Sequence, residues 1–500
     1  MMERRVDWLG YGCVTVLFAA ARLLYGYLGL RFDASTFPQF MQFIDQELLA
    51  NRLLESLWYY HANPPLLNLF TGLGIKLFGP NATAVFAVCF HALGLVLAWC
   101  VYLLTARLSG SRLAAGITSA LLVFSPSFVL YENWFMYSFP TAVLLTVAAA
   151  LLYRYVRSGA TRWAVAFFAV LASLLLLRSL YHLAWLVLVA LLLVATQWHR
   201  RKQVLIAAAV PILVVGLWYG KNLYLFGTFS SSTWFGMGLS NITTQMVTRA
   251  ELQPLVERGE LSQFALVSRY RQPWRIFSGN LPPTGVAVLD QPVKSSGQFN
   301  FNNQQVIPVD RAYTADGLKV IRHFPASYAI GLIMANRLFF SPSSMNLYFT
   351  DANRGAARPF EALFNPLLFG ASPHSSPIQA PNFGFHNDAF FEINSSMRLF
   401  VVWWLVLGYG YVQARGAFRN RPEEDRARAV VIGFAVFTML YVYGVGTAFE
   451  LAENFRYRWD VEPLTFVLTA TAITHLLRVL LQRFARLRAA RRSAATADQQ

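Results

Sequence analysis

Asp33 stands just beyond the first long apolar run of the chain, in Leu30-Arg31-Phe32-Asp33-Ala34-Ser35. Asp45 and Glu47 follow in an amphipathic stretch from Phe40 to Tyr60, and Glu132 sits in a second short polar connection, Tyr131-Glu132-Asn133-Trp134-Phe135-Met136-Tyr137. A carboxylate held at an apolar boundary is costly to keep charged, so its pKa rises and it can act as a base near neutral pH. The competing role is to cap a helix or pair with a nearby arginine. A second set of residues is cationic. Arg178 lies in Leu177-Arg178-Ser179-Leu180-Tyr181-His182 between two apolar runs, Lys221 ends a third, and Arg456 and Arg458 precede the last. Arginine is permanently charged and can grip a phosphate or carboxylate through two N–H groups. Its competing role here is to snorkel to lipid headgroups or to pair with Glu450 and Glu453. His61, in Tyr59-Tyr60-His61-Ala62-Asn63-Pro64-Pro65-Leu66, and His182 are candidate substrate contacts.

The elements that must position these residues are membrane spans. Hydrophobic residues make up 56% of the 500-residue chain and charged residues 13%, about half the charged share of a soluble domain. Apolar runs long enough to cross a bilayer fall near 8–30, 81–105, 113–131, 139–156, 163–177, 183–198, 203–220, 398–414, 429–449 and 461–481. The reading is an all-α polytopic membrane protein of about ten transmembrane helices. The stretch 326–340 contains Asn336 and Arg337 and reads as interfacial or re-entrant.

Charge gives an independent check. With the N-terminus in the cytoplasm, residues 1–7, 107–112, 154–162, 200–202, 415–428 and 478–500 fall inside and carry 21 Lys and Arg against 6 acids, +15 of the total +17. Every basic cluster beside a span lands on one side, as the positive-inside rule requires. The basic excess is therefore an orientation signal and not a nucleic-acid footprint. Residues 1–220 form an N-terminal transmembrane module whose extracytoplasmic loop, 31–80, carries interfacial helices. Residues 221–397 form a large extracytoplasmic or re-entrant region, 398–482 the C-terminal spans and 483–500 a basic cytoplasmic tail. Cys13, Cys89 and Cys100 all fall in apolar runs and outline neither a disulfide framework nor a zinc site. No HExxH, DxD-type or nucleotide-binding motif stands out, so no metal site and no required cofactor is predicted, with a divalent metal left open.

The order of these motifs resembles a known family. Asp33 after the first span, then Pro64-Pro65-Leu66 and an apolar segment ending in Phe78-Gly79, is similar to the first loop of the GT-C class of membrane glycosyltransferases. That superfamily includes the protein O-mannosyltransferases and the lipid A aminoarabinose transferases. Lys221-Asn222 with Phe226-Gly227 is similar to its span ending in a basic-Asn pair and Phe-Gly. Glu453-Asn454-Phe455-Arg456-Tyr457-Arg458 with Pro463-Leu464 is similar to its Arg-Tyr motif before the last span. The likeness covers roughly 1–240 and 398–482. It departs where the family often carries a second acid beside the first, here Ala34, and where Lys or Glu commonly precedes the two prolines, here His61-Ala62-Asn63.

The resemblance implies transfer of a hexosyl or pentosyl group, with inversion, from a polyprenyl-phosphate donor to a glycan, lipid or protein acceptor outside the cytoplasm. It implies Asp33 as general base, with Glu132 as the second catalytic candidate and Ser138 competing for that second-loop position, and Arg178, Arg456, Arg458 and Lys221 around the donor phosphate. Asp45, Glu47, His61 and His182 are then the candidate substrate contacts. The expected setting is a bacterial inner membrane, with both termini cytoplasmic and membrane lipids, not nucleic acid, as partners. The alternatives are a polymerase or ligase of lipid-linked glycans, a non-enzymatic transporter or flippase of polyprenyl-linked sugars, and a non-catalytic glycan- or lipid-binding membrane protein.

Overall fold

The computed structural model describes residues 7–269, 281–368, 376–377, 392–393, 396–418 and 422–497. They form an N-terminal series of helices, α1 (Trp8–Tyr27), α2 (Gln46–Asn51), α3 (Leu53–Trp58), α4 (Leu66–Phe78), α5 (Ala82–Ser109), α6 (Arg112–Val123), α7 (Pro126–Glu132), α8 (Ser138–Ser158), α9 (Thr161–Leu177), α10 (Leu183–Thr196) and α11 (Arg201–Phe226). A polar region follows with α12 (Phe235–Ile242), α13 (Arg249–Glu257), α14 (Ala287–Asp290), α15 (Val306–His323), α16 (Pro325–Phe339) and α17 (Asp351–Leu368). Three long helices close the fold: α18 (Met397–Ala414), α19 (Glu423–Ala448) and α20 (Asn454–Ala497). The secondary structure of the described residues is almost wholly helical, with one two-stranded pairing of Ser376–Pro377 and Glu392–Ile393, and the chain is a multi-pass membrane protein. Among the described residues, six helical stretches are long and apolar enough to cross a bilayer, or seven if the bent α6–α7 pair is one span.

The expected spans at 163–177 and 183–198 are helices of 17 and 14 residues, shorter than the ~20 residues a full hydrocarbon crossing takes. The expected interfacial stretch at 326–340 is α16, one helix lying against α19 and α20. The amphipathic stretch at 40–60 is two six-residue helices, α2 and α3, which meet at Arg52 in a non-helical conformation. The final helix runs on past the last span, so the described part of the basic tail continues α20.

Contacts sort the connections into two ends of the bundle. At one end Asp7, the cap of α1, bonds Arg112, Arg428 donates to the Arg107 carbonyl, and Arg200 reaches Glu423 and the Val156 carbonyl. Five of the six basic segments expected on one side thus meet. At the opposite end lie the connections carrying Asp33, Glu132, Arg178 and the start of α20.

Between these ends α6 and α7 bend by 59°, because Pro126 has no N–H to continue the helical ladder. The break leaves two carbonyls in an apolar setting, where an unpaired backbone group costs heavily. Helix α1 supplies both partners: Arg22 donates to the Val123 carbonyl at 2.9 Å and the Tyr25 hydroxyl to that of Phe124 at 2.8 Å.

A short hairpin at 292–303, with a bridge between Val293 and Phe299, straps the first loop in place. Lys294 donates to the Phe40 carbonyl at 2.7 Å and the Ser296 hydroxyl to that of Pro38 at 2.9 Å. Deeper in the polar region α12 and α15 touch through Gly236, where a Cβ would stand 2.0 Å from the Asp310 carbonyl oxygen. Only glycine permits that approach.

Candidate active site

Asp33 is fixed by its backbone, which forms an isolated parallel bridge to Trp134. Its N–H donates to the Asn133 carbonyl at 2.7 Å, and Phe135 N–H donates to the Asp33 carbonyl at 2.9 Å. The first and second loops are thereby joined at the residue singled out from the sequence. The Asp33 carboxylate accepts the Ser35 N–H at Oδ1, 2.9 Å away. Its Oδ2 is buried and has no hydrogen-bond partner. The neighbouring surfaces are aromatic: Phe32 packs on Phe90 and Phe135, and the Trp134 indole donates to the Thr36 hydroxyl and stacks on Tyr348.

Two of the expected cations, Arg178 and Arg456, come together at Tyr137. Arg178 caps the C-terminus of α9 and is 3% exposed. One of its amino groups contacts an Asp460 oxygen, while the other, Nη2, is buried without a partner. Arg456, in the first turn of α20, pairs with Glu453 at 2.7 Å and donates to the Tyr137 hydroxyl at 3.3 Å, leaving its Nε unpartnered. Both guanidinium groups lie against the ring of Tyr137, at 5.1 Å for Arg178 and 5.6 Å for Arg456. Tyr131 stacks on Trp459 at 4.6 Å, and its hydroxyl is also buried and unpartnered, as is that of Ser138. Buried polar atoms are nearly always satisfied. Two arginine donors and a carboxylate oxygen are among those without a protein partner here, donor and acceptor chemistry that suits a polar, charged ligand.

The remaining expected residues are placed elsewhere or are already engaged. Arg458 lies two residues from Arg456, some 200° round the helix, and faces the loop after α16. There it donates to the Phe339 and Ser341 carbonyls, to Ser343 and to Glu462. Glu132, expected as the second catalytic acid, is fully buried and held by Arg22 at 2.7 Å, with His91 3.6 Å away. Lys221 donates to the carbonyls of Trp58 and Tyr60 and rests on the Trp218 ring, so it anchors the first loop. His61 is buried between Thr233 and Asn302, at 2.7 and 3.0 Å. Burial pushes its pKa down to about 3, which keeps the ring neutral. Asp45 caps α2 through the Glu47 N–H and bonds the backbone and hydroxyl of Ser295, while Glu47 is exposed in the first turn. His182 caps α10 and packs edge-on against Tyr219.

Asp460, Tyr137, Trp134 and Tyr348 belong to the site and were not singled out from the sequence. Arg456 and Asp460 stand at i and i+4 on one face of α20, a spacing legible in the sequence. Nothing local marked Tyr137 or Tyr348, whose neighbours are set by tertiary packing. Among the described residues, no group of three or more His, Cys, Asp or Glu side chains comes together as a metal site would require.

No known family profile matches the chain, and no curated protein matches it in sequence. Among solved structures it is similar to ArnT from Cupriavidus metallidurans bound to undecaprenyl phosphate, at 18% identity over 88% of this chain and 78% of that one, with a TM-score of 0.35. It is also similar to the Archaeoglobus fulgidus oligosaccharyltransferase in complex with Zn and sulfate, at 14% identity and a TM-score of 0.38; the match covers 95% of this chain and 51% of that one. These likenesses are low, and no residue's role is carried across them.

Proposed function

We propose that the chain is a membrane glycosyltransferase of the GT-C kind, moving a sugar from a polyprenyl-phosphate donor to an acceptor outside the cytoplasm. In this reading the bundle crosses the membrane ten times, with both termini cytoplasmic and the loop end at the outer face of a bacterial inner membrane. Residues 221–397 lie over the site and receive the acceptor. Asp33 Oδ2 takes the proton of the acceptor hydroxyl as its oxygen attacks the anomeric carbon. The bond from that carbon to the phosphate oxygen breaks on the opposite face, so the configuration inverts. General-base help of this kind is worth about 10²–10⁴ in rate. Arg178 and Arg456 meet the charge that develops on the leaving phosphate, where fixed donors in a dry site are most effective.

The observation that carries the reading is the pairing of a free Asp33 oxygen with free arginine donors at one end of the bundle. Trp134, bridged to Asp33, stacks on Tyr348, which lies close to Arg456. The alternative as a flippase predicts movement of lipid without chemistry.

The test is reconstitution in vesicles with a radiolabelled polyprenyl-phosphate sugar and an extract of cell-envelope acceptors. Label should pass to an acceptor with wild-type protein and fall at least a hundredfold with Asp33→Asn. Undiminished transfer in the variant removes Asp33 from its role. Label that changes leaflet without changing carrier supports the flippase.

A further inference from the structure

Asp460 is a buried acid in contact with Arg178 that the transfer reaction does not use. It lies in α20 one turn after Arg456 and is fully buried. Among the described residues, the ion-pair partner of its carboxylate is Arg178, which it contacts through Oδ1. Its Oδ2 makes no hydrogen bond, although the Tyr181 hydroxyl is close by. The charged and titratable groups facing it are few. Arg178 and Tyr181 come from the α9–α10 turn, Arg456, Tyr457 and Glu453 from the start of α20, Tyr131 from α7, and Tyr137 from the residue before α8. Two arginines thus face two carboxylates, and the cluster is neutral before any anion arrives. Glu453 is 19% exposed and keeps some water, whereas Asp460 has none.

An anion that takes Arg178 must share it with Asp460 or replace Asp460. A buried carboxylate stripped of its cation cannot stay charged at acceptable cost and neutralises by taking a proton. We propose that binding of a lipid phosphate at Arg178 is coupled to the uptake of one proton by Asp460. This rests on the reading of Arg178 as a phosphate ligand. Arg178 then exchanges one anion for another without a net charge entering the sealed site, and Asp460 is a positioning residue that aims the guanidinium while the site is empty.

The experiment measures binding of a polyprenyl methyl phosphate to the full-length protein in nanodiscs between pH 5 and 9. That diester has a single fixed charge over the range, so the ligand itself does not titrate. Where Asp460 is ionised in the free protein, linkage of one proton makes affinity fall by up to about tenfold per pH unit. Asp460→Asn should bind with an affinity that does not change with pH. Independently of any variant, adding the diester to wild-type protein in weakly buffered solution should remove close to one proton per molecule bound. Binding that is flat with pH and takes up no proton overturns the coupling while leaving the phosphate site standing. Failure of both proteins to bind the diester at any pH sinks the phosphate site, and the coupling with it.

Discussion

Single residues divide into those held for chemistry and those held for the fold, and the division can be tested by substitution. Glu132 belongs to the fold: its carboxylate fits beside Gly94, where a Cβ would stand 2.0 Å from Oε1, and it balances Arg22, whose guanidinium lies over the Phe18 ring. Breaking a buried pair by removing one charge costs about 3–5 kcal/mol. Glu132→Gln should therefore lower the melting temperature sharply, and Arg22→Met with Glu132→Leu should recover part of the loss. A Glu132→Gln protein as stable as wild type but unable to transfer sugar would return Glu132 to the chemistry. Arg458 gives the same contrast with Arg178. Arg458→Lys should loosen the loop after α16 and reduce thermal stability while leaving lipid-phosphate affinity within about twofold, because its donors are spent on the chain. Arg178→Lys should weaken that affinity about tenfold or more, since an ammonium cannot reproduce the planar fork; a calorimetric or fluorescence titration of both variants checks it.

At the scale of elements, the long helices were legible because membrane spans are read from apolar length, and their polar ends from charge. The bend between α6 and α7 had only Pro126 as a signal, and its partners Arg22 and Tyr25 sit about a hundred residues away, beyond any local pattern. Tyr25→Phe should leave the Phe124 carbonyl unpaired at a cost of about 1–3 kcal/mol, read as a lower denaturation midpoint. The first loop shows the other limit of sequence reading. His61, Asp45 and Lys221 have the residue types of a catalytic centre, yet their partners are Thr233, Asn302, Ser295 and backbone carbonyls, supplied by parts of the chain that no spacing rule connects. Asp33 could be picked out because a family spacing pointed to it, whereas Asp460 needed the packed structure. The polar region also has its own pH signature. Asp310 accepts the Met237 N–H at 2.8 Å, and burial raises its pKa to about 7. A carboxyl with a raised folded-state pKa contributes its stability in full below the unfolded value of 3.8 and loses it as pH rises through 7. Hydrogen exchange in α12 and α15 should accordingly show protection falling between about pH 4 and pH 7, beyond the intrinsic rate change, and Asp310→Asn should flatten that trend.

For the whole molecule, the charge pattern and the contacts agree on two unlike ends. The connections predicted inside hold +15 of the net +17, and their arginines and acids bond one another, as Arg112 with Asp7 and Arg200 with Glu423 show. The rest of the chain is nearly neutral and gathers the site. In a background lacking Cys13, Cys89 and Cys100, an impermeant thiol reagent should label Ser296→Cys on intact cells and Ser158→Cys only after permeabilisation; the reverse pattern would invert the topology. The central claim is that Asp33 and Arg178 serve one site in different capacities, and a single paired measurement addresses it. Polyprenyl-phosphate binding and sugar transfer would be measured on the same preparations of wild type, Asp33→Asn and Arg178→Ala. Asp33→Asn should bind the lipid as tightly as wild type yet transfer at least a hundredfold more slowly, while Arg178→Ala should lose binding. Equal loss of binding in both variants, or full transfer by either, would contradict that claim.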